Sequence, residues 1–276
     1  MKAFARLFVI PVFLAFFLVG CDTNVTDDEP ATVSFELQPV FDGQPFSTAS
    51  TYDLNGSAIT FSAARLYISQ FTLIHEDGTE TTFAGDPVTV TAKGEDGSDI
   101  AHTVTDRVML AKHDAGVDSW SLGEAPEGRY TGVRFQVGVT GTDNKVDPTQ
   151  FPAGHDLAKQ TDKNNHWSWN SGYIYLRVDG LVDTDGDSTP DTPWETHLGM
   201  NTFAREVTLS ADFTLEGGKM STVHAMVDYA DILSLVDLGL ESERLCHTMD
   251  NMPVANKVAG QLSSAFMFHG LHSMGQ

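Results

Sequence analysis

The sequence predicts an all-β fold, an antiparallel β-sandwich with short helices near the C-terminus. Three observations carry this reading. From Thr32 the apolar positions recur with period two, with Val33, Phe35 and Leu37 on one face and Ser34, Glu36 and Gln38 on the other, as in a half-buried strand. Turn signals punctuate the chain at Asp77-Gly78, Glu95-Asp96-Gly97, Pro126-Glu127-Gly128 and Gly217-Gly218. Helical periodicity shows only near the end, over 230–235 and 254–268.

After the first strand, further strands are expected at 63–74, 87–92, 103–110, 132–139, 173–178, 207–215 and 222–227, and the run from Gly128 to Val139 is the clearest of them. Many short strands at this spacing imply two packed sheets. No internal repeat and no compositional break follow residue 31, so 32–276 is read as one domain.

Composition narrows the function. The 276 residues are 41% hydrophobic, with 38 acidic side chains against 16 basic ones and a formal charge of −22. Such a field repels phosphate backbones, which argues against nucleic acid as a partner and favours cations. Two cysteines leave no room for a disulfide framework or a CxxC zinc site.

The first twenty residues have a basic start at Lys2 and Arg6, an apolar run from Leu7 to Val19, and then Gly20-Cys21. That is a secretory leader, too short for a membrane span. Leu18-Val19-Gly20-Cys21 resembles a bacterial lipobox, which implies acylation of Cys21 and a protein anchored by lipid to the cell envelope. Loss of Lys2 and Arg6 with the leader would take the charge to −24. Residues 21–31, with Asp27, Asp28, Glu29 and Pro30, read as an acidic flexible tether. Cys246 then has no intrachain partner and is expected to be buried, as free cysteines are.

Several stretches carry potential chemistry. Trp167 and Trp169 stand two residues apart beside His166, just before a strand. His197 lies in Glu195-Thr196-His197-Leu198-Gly199, and His224 shares a strand face with Met226. Taken singly, each histidine is a structural or solvated residue and each tryptophan a core residue. Three imidazoles with two indoles are harder to dismiss as packing. If 166–169 is a regular strand, His166 points away from Trp167 and Trp169.

The combination of Arg65-Leu66-Tyr67-Ile68-Ser69, Gly128-x-Tyr130 leading to Gly138-Val139, Trp167-Ser168-Trp169-Asn170-Ser171-Gly172-Tyr173, and His197-Leu198-Gly199 resembles the MbnP-like proteins over about residues 32–268. The resemblance implies an exported, β-rich copper-binding protein. It implies that a tryptophan, Trp167 or Trp169, is oxidised to kynurenine by a di-haem cytochrome c peroxidase-like enzyme, and that the product joins two histidines in holding copper. His197 is the first histidine; His224 and His166 compete for the second place. The chemistry is reasonable, because an indole nitrogen only donates a hydrogen bond, whereas ring opening frees an aniline nitrogen beside two imidazoles, a donor set that suits copper.

A second feature is the acidic run from Asp183 to Asp191. Asp183, Asp185, Asp187 and Asp191, with Gly186 among them, are expected to aim oxygens at calcium, although the order departs from the EF-hand pattern. A third is Cys246-His247-Thr248-Met249-Asp250-Asn251-Met252, whose thiol, imidazole and thioethers would suit a separate Cu(I) site. No haem-attachment, nucleophile-elbow, P-loop, zinc-protease or dinucleotide motif is present. The expectation is therefore a copper-binding lipoprotein of the cell envelope in copper acquisition or homeostasis, not an enzyme. The rival is a calcium-stabilised β-sandwich adhesion or interaction module.

Overall fold

A computed structural model of the chain describes residues 29–116, 118–161, 164–168 and 171–274. Cys21, the leader, the tether up to Asp28 and Trp169 lie outside the described residues.

The fold is a sandwich of two sheets. The larger runs in the order Arg205–Leu215, Gly128–Val137, Ser57–His75, Gly172–Val182, Thr192–Gly199, Leu245–Cys246. Its long strand Ser57–His75 also pairs with Tyr52–Leu54, Glu80–Thr82 and Met109–Lys112, while His166–Ser168 pairs with Gly172–Val182. The smaller sheet runs Phe266–Met274, Met220–Asp228, Ala31–Phe41, Gln44–Pro45, with Ser119–Ala125 also on Ala31–Phe41. The inner faces meet through aromatic contacts. Phe35 of the smaller sheet lies 4.6 Å from Phe71 and 6.2 Å from Phe135 of the larger, between ring centroids.

The alternation from Thr32 is realised as Ala31–Phe41, with Val33, Phe35 and Leu37 fully buried. Two pairings depart from the antiparallel expectation: Ala31–Phe41 runs parallel to Met220–Asp228, and Thr192–Gly199 parallel to Leu245–Cys246. Both join strands far apart in the chain, where no hairpin forces the direction to reverse. The expected helix over 254–268 is shorter. It spans Met252–Gln261, capped by Asn251, and Phe266–Met274 is an edge strand of the smaller sheet. Sheet pairing with Met220–Asp228, together with burial of Phe266, outweighs the local helical spacing.

Ser57–His75 is buried on both faces between Ala63 and Ser69, so its polarity pattern does not alternate there. Ala64, Leu66 and Ile68 enter the main core. Tyr67 faces a second cluster with Leu110, Val146, Leu157, Tyr173 and Tyr175. Arg65, on the Tyr67 side, is buried against Asp114 by two hydrogen bonds, Nε to Oδ1 at 2.9 Å and Nη2 to Oδ2 at 3.0 Å. This fork satisfies both charges at once. Val139, Val146, Phe151 and Leu157 cover this second face.

Two buried imidazoles flank these cores. His113 Nδ1 lies 2.8 Å from the Tyr229 hydroxyl, and the Nε2 atoms of His113 and His166 have no protein hydrogen-bond partner. Burial pushes both histidines down, each to about 4 from 6.5, and pushes Asp156 up to about 6. The unfolded chain therefore holds more protons on both histidines between about pH 4 and 6.5. Their contribution to stability is complete above 6.5 and is lost as pH falls through the folded values. Asp156 works in the opposite sense, with its stabilising contribution lost as pH rises through about 6. Two histidines against one carboxyl predict a melting temperature that falls from pH 6.5 to 4. His113→Gln and His166→Gln should each flatten the fall; an unchanged slope in both variants contradicts this account.

Candidate metal centre

Strand register places the first histidine. In the hairpin of Gly172–Val182 and Thr192–Gly199, Arg177 lies opposite His197 and Asp179 opposite Glu195. Glu195 and His197 share one strand face, with Trp194, Thr196 and Leu198 buried on the other. His197 Nε2 lies 2.6 Å from Asp179 Oδ1, and Asp179 Oδ2 accepts from Arg177 Nε at 2.8 Å. Burial acts to raise the Asp179 carboxyl, but the hydrogen bond and charge of His197 and the charge of Arg177 outweigh it and hold it below its ordinary value. A carboxylate on Nε2 fixes that nitrogen as the N–H donor and leaves Nδ1 with the free lone pair, the usual support of a metal-binding imidazole.

The second histidine comes from a distant segment. The parallel pairing of Glu195 with Leu245 and Thr196 with Cys246 carries the chain on to set His247 beside His197, with ring centroids 4.8 Å apart and planes at 34°. Thr248 locks it there. Its hydroxyl donates to the His197 carbonyl at 2.9 Å and accepts from the Gly199 N–H at 3.0 Å. Met249 N–H closes onto the His247 carbonyl at 2.8 Å, around a Thr248 at φ +62°. A β-branched residue in that region is strained, and it is fully buried. The tight turn points both His247 and Met249 into the same cavity.

That cavity has a volume of about 650 Å³ and is lined by Trp167, Ser168, Ser171, His197, Met200, His247 and Met249. Trp167 stands in it because Gly199 has no side chain. A Cβ there would lie 2.5 Å from Trp167 Cζ3 and 2.7 Å from the Tyr173 carbonyl oxygen. Ligand atoms of Glu195, His197 and His247 all lie within 4.8 Å of one another. Glu195 Oε2 is 3.1 Å from His247 Nε2, and Asp250 Oδ2 is 3.2 Å from His247 Nδ1. Two imidazoles, a carboxylate and two thioethers around one cavity make a donor set that fits copper in either oxidation state.

Other expected residues fall elsewhere. His166–Ser168 is a short strand with a register shift between His166 and Ser168; His166 turns inward, 4.8 Å edge-on from Tyr173, and lines no part of the Trp167–His197 cavity. His224 sits on the smaller sheet, beside Glu36 and His272. Neither lines the cavity with His197; His247 does, and the sequence marked it only as part of a separate Cys–His–Met cluster. Cys246 is buried, and burial pushes its thiol up to about 11, so it packs as an apolar group.

In the acidic loop, Asp183, Asp185 and Asp187 have ligand atoms within 4.8 Å of one another, and Asp191 is not among them. Asp191 Oδ1 instead accepts from the Thr192 hydroxyl at 3.1 Å. Asp183 already accepts from the N–H groups of Asp185, Gly186 and Ser188, which hold its carboxyl below the ordinary value. The loop closes the hairpin at the end away from His197.

Fold and site together define an all-β sandwich with a histidine, carboxylate and tryptophan pocket at one end of its larger sheet. The chain belongs to the MbnP family, whose model matches residues 30–250. A solved structure, MbnP from Methylosinus trichosporium, shares the fold with a TM-score of 0.52 at 14% identity, covering 90% of this chain and 100% of that one. No curated protein matches the chain.

The packing at Gly199 yields a direct expectation. Gly199→Ala should lower stability by about 1–3 kcal/mol through overpacking and red-shift the Trp167 fluorescence as the ring is displaced. Unaltered stability and emission would show that Trp167 does not depend on that space.

Proposed function

We propose that this protein is a copper-binding lipoprotein of the cell envelope, serving copper acquisition or homeostasis rather than catalysis. The observation that carries the proposal is that Trp167 shares one cavity with His197 and His247. In this reading His197, His247 and the kynurenine formed from Trp167 hold copper, and a di-haem peroxidase-like partner carries out the oxidation. Asp179, itself held by Arg177, orients His197. Glu195 offers a carboxylate to the metal while Trp167 is still an indole without a lone pair. Acylation at Cys21 supplies the anchor.

The test is intact and peptide mass analysis of protein produced with the oxidase, combined with copper titration. Oxidation should map to Trp167 and vanish in Trp167→Phe. His197→Ala and His247→Ala should each weaken copper binding at least tenfold, about 1.4 kcal/mol or more, whereas His166→Ala should leave it unchanged. Modification confined to Trp169, or full affinity in His247→Ala, overturns the reading.

The grouping of Asp183, Asp185 and Asp187 favours a lesser role for calcium as a stabilising ion, remote from the pocket. Calcium should then raise the melting temperature by mass action, and Asp185→Asn with Asp187→Asn should abolish the rise. An equal rise in wild type and double variant leaves the loop an acidic turn held by its own backbone.

A further inference from the structure

A second group of metal-ligating side chains lies on the smaller sheet, on the face turned away from the core. Along Met220–Asp228 the residues Ser221, Val223, Ala225 and Val227 are buried, which sends Thr222, His224 and Met226 to the opposite face. The last strand pairs Thr222 with His272 and His224 with Gly270. His224 and His272 are therefore diagonal neighbours on one face, and their ring centroids are 4.2 Å apart at 49°. On the other side of His224 the parallel register sets Glu36, whose Oε1 lies 3.5 Å from His224 Nδ1. Among the described residues, His224 is the basic side chain that pairs with Glu36.

The local backbone favours the arrangement. Gly270 adds no side chain beside His224, and its φ of +153° coincides with a register shift between His224 and Ala225 that leaves His269 exposed nearby. One step along, Met226 faces Met267, which is 43% exposed. Imidazole, carboxylate and thioether groups thus line one strip of the outer surface, on a different sheet from the pocket. His272 also lies past residue 250, where the family match ends.

We propose that His224 and His272 form a second metal site, for an imidazole-binding divalent transition ion such as Cu(II), independent of the pocket, with Glu36 orienting His224. Two imidazoles in contact supply two nitrogens, which a borderline ion accepts readily. The site needs no modified residue, so it differs in kind from the pocket.

The test uses the full mature chain in a His197→Ala/His247→Ala background, which removes the pocket histidines, titrated with Cu(II) alone. This background should still bind one equivalent, with two imidazole nitrogens visible by pulsed EPR. Adding His272→Asn, or separately His224→Asn, should weaken that binding at least tenfold and leave one imidazole signal. Glu36→Gln should weaken it without changing the imidazole count. His272 is exposed and His224 partly covered, so circular dichroism should show the fold intact in His272→Asn; if His224→Asn fails to fold, His272→Asn alone decides. No binding in the background, or unchanged affinity and imidazole count in His272→Asn, overturns the proposal. Neither result bears on the pocket, which is read from wild type against the background.

Discussion

The strand Ser57–His75 is covered on both faces, and the rest of the architecture answers to that. One face completes the main core against the smaller sheet. The other carries Arg65 and Tyr67, which cannot be left half-solvated in the middle of a sheet. Asp114 neutralises the first, and Val146, Phe151 and Leu157 pack over the second. Because this cover ends by rejoining the sheet at His166–Ser168, it carries His166 into the cluster and turns the next residue, Trp167, outward. The pocket is thus a by-product of where the cover stops.

Its other wall is built by a different device. Leu245–Cys246 adds a two-residue parallel strand to the edge of the large sheet, and Thr248 bridges that edge with a single hydroxyl. The strained turn is sustained because Thr248 is fully buried and bonded on both sides. His197 sits on a regular strand, with an orienting carboxylate below it. His247 sits on a loop and has carboxylates near both ring nitrogens. One imidazole is pre-set and the other can adjust, an asymmetry that suits an ion entering from solvent.

The sandwich was legible in the alternation from Thr32 and in the turn dipeptides, because both are local consequences of backbone geometry. His197 was singled out by the family resemblance around it, since by itself it read equally as a core group. His247 was visible as a residue but not as a partner of His197. That contact depends on a parallel register joining Glu195 to Leu245, which leaves no periodic trace in the chain. The choice between His166 and Trp167 as pocket residues depends on an irregular pairing of 166–168 with Gly172–Val182, which buries His166 and leaves Trp167 in the cavity. The misread helix had apolar spacing continuing through Leu262, Ala265 and Phe266, and only tertiary pairing with Met220–Asp228 decides that Phe266 begins a strand.

The parallel pairing of the first strand has a kinetic consequence. Thr32 lies opposite Met220 and Val40 opposite Asp228, so the smaller sheet joins the two extremes of the sequence. Contacts of such long separation are slow to form, since loop closure costs entropy before any packing rewards it. The N-terminal strand therefore has no permanent neighbour on that side until nearly all of the chain is present. During synthesis that edge of the first strand stays unpaired until Met220–Asp228 has been made.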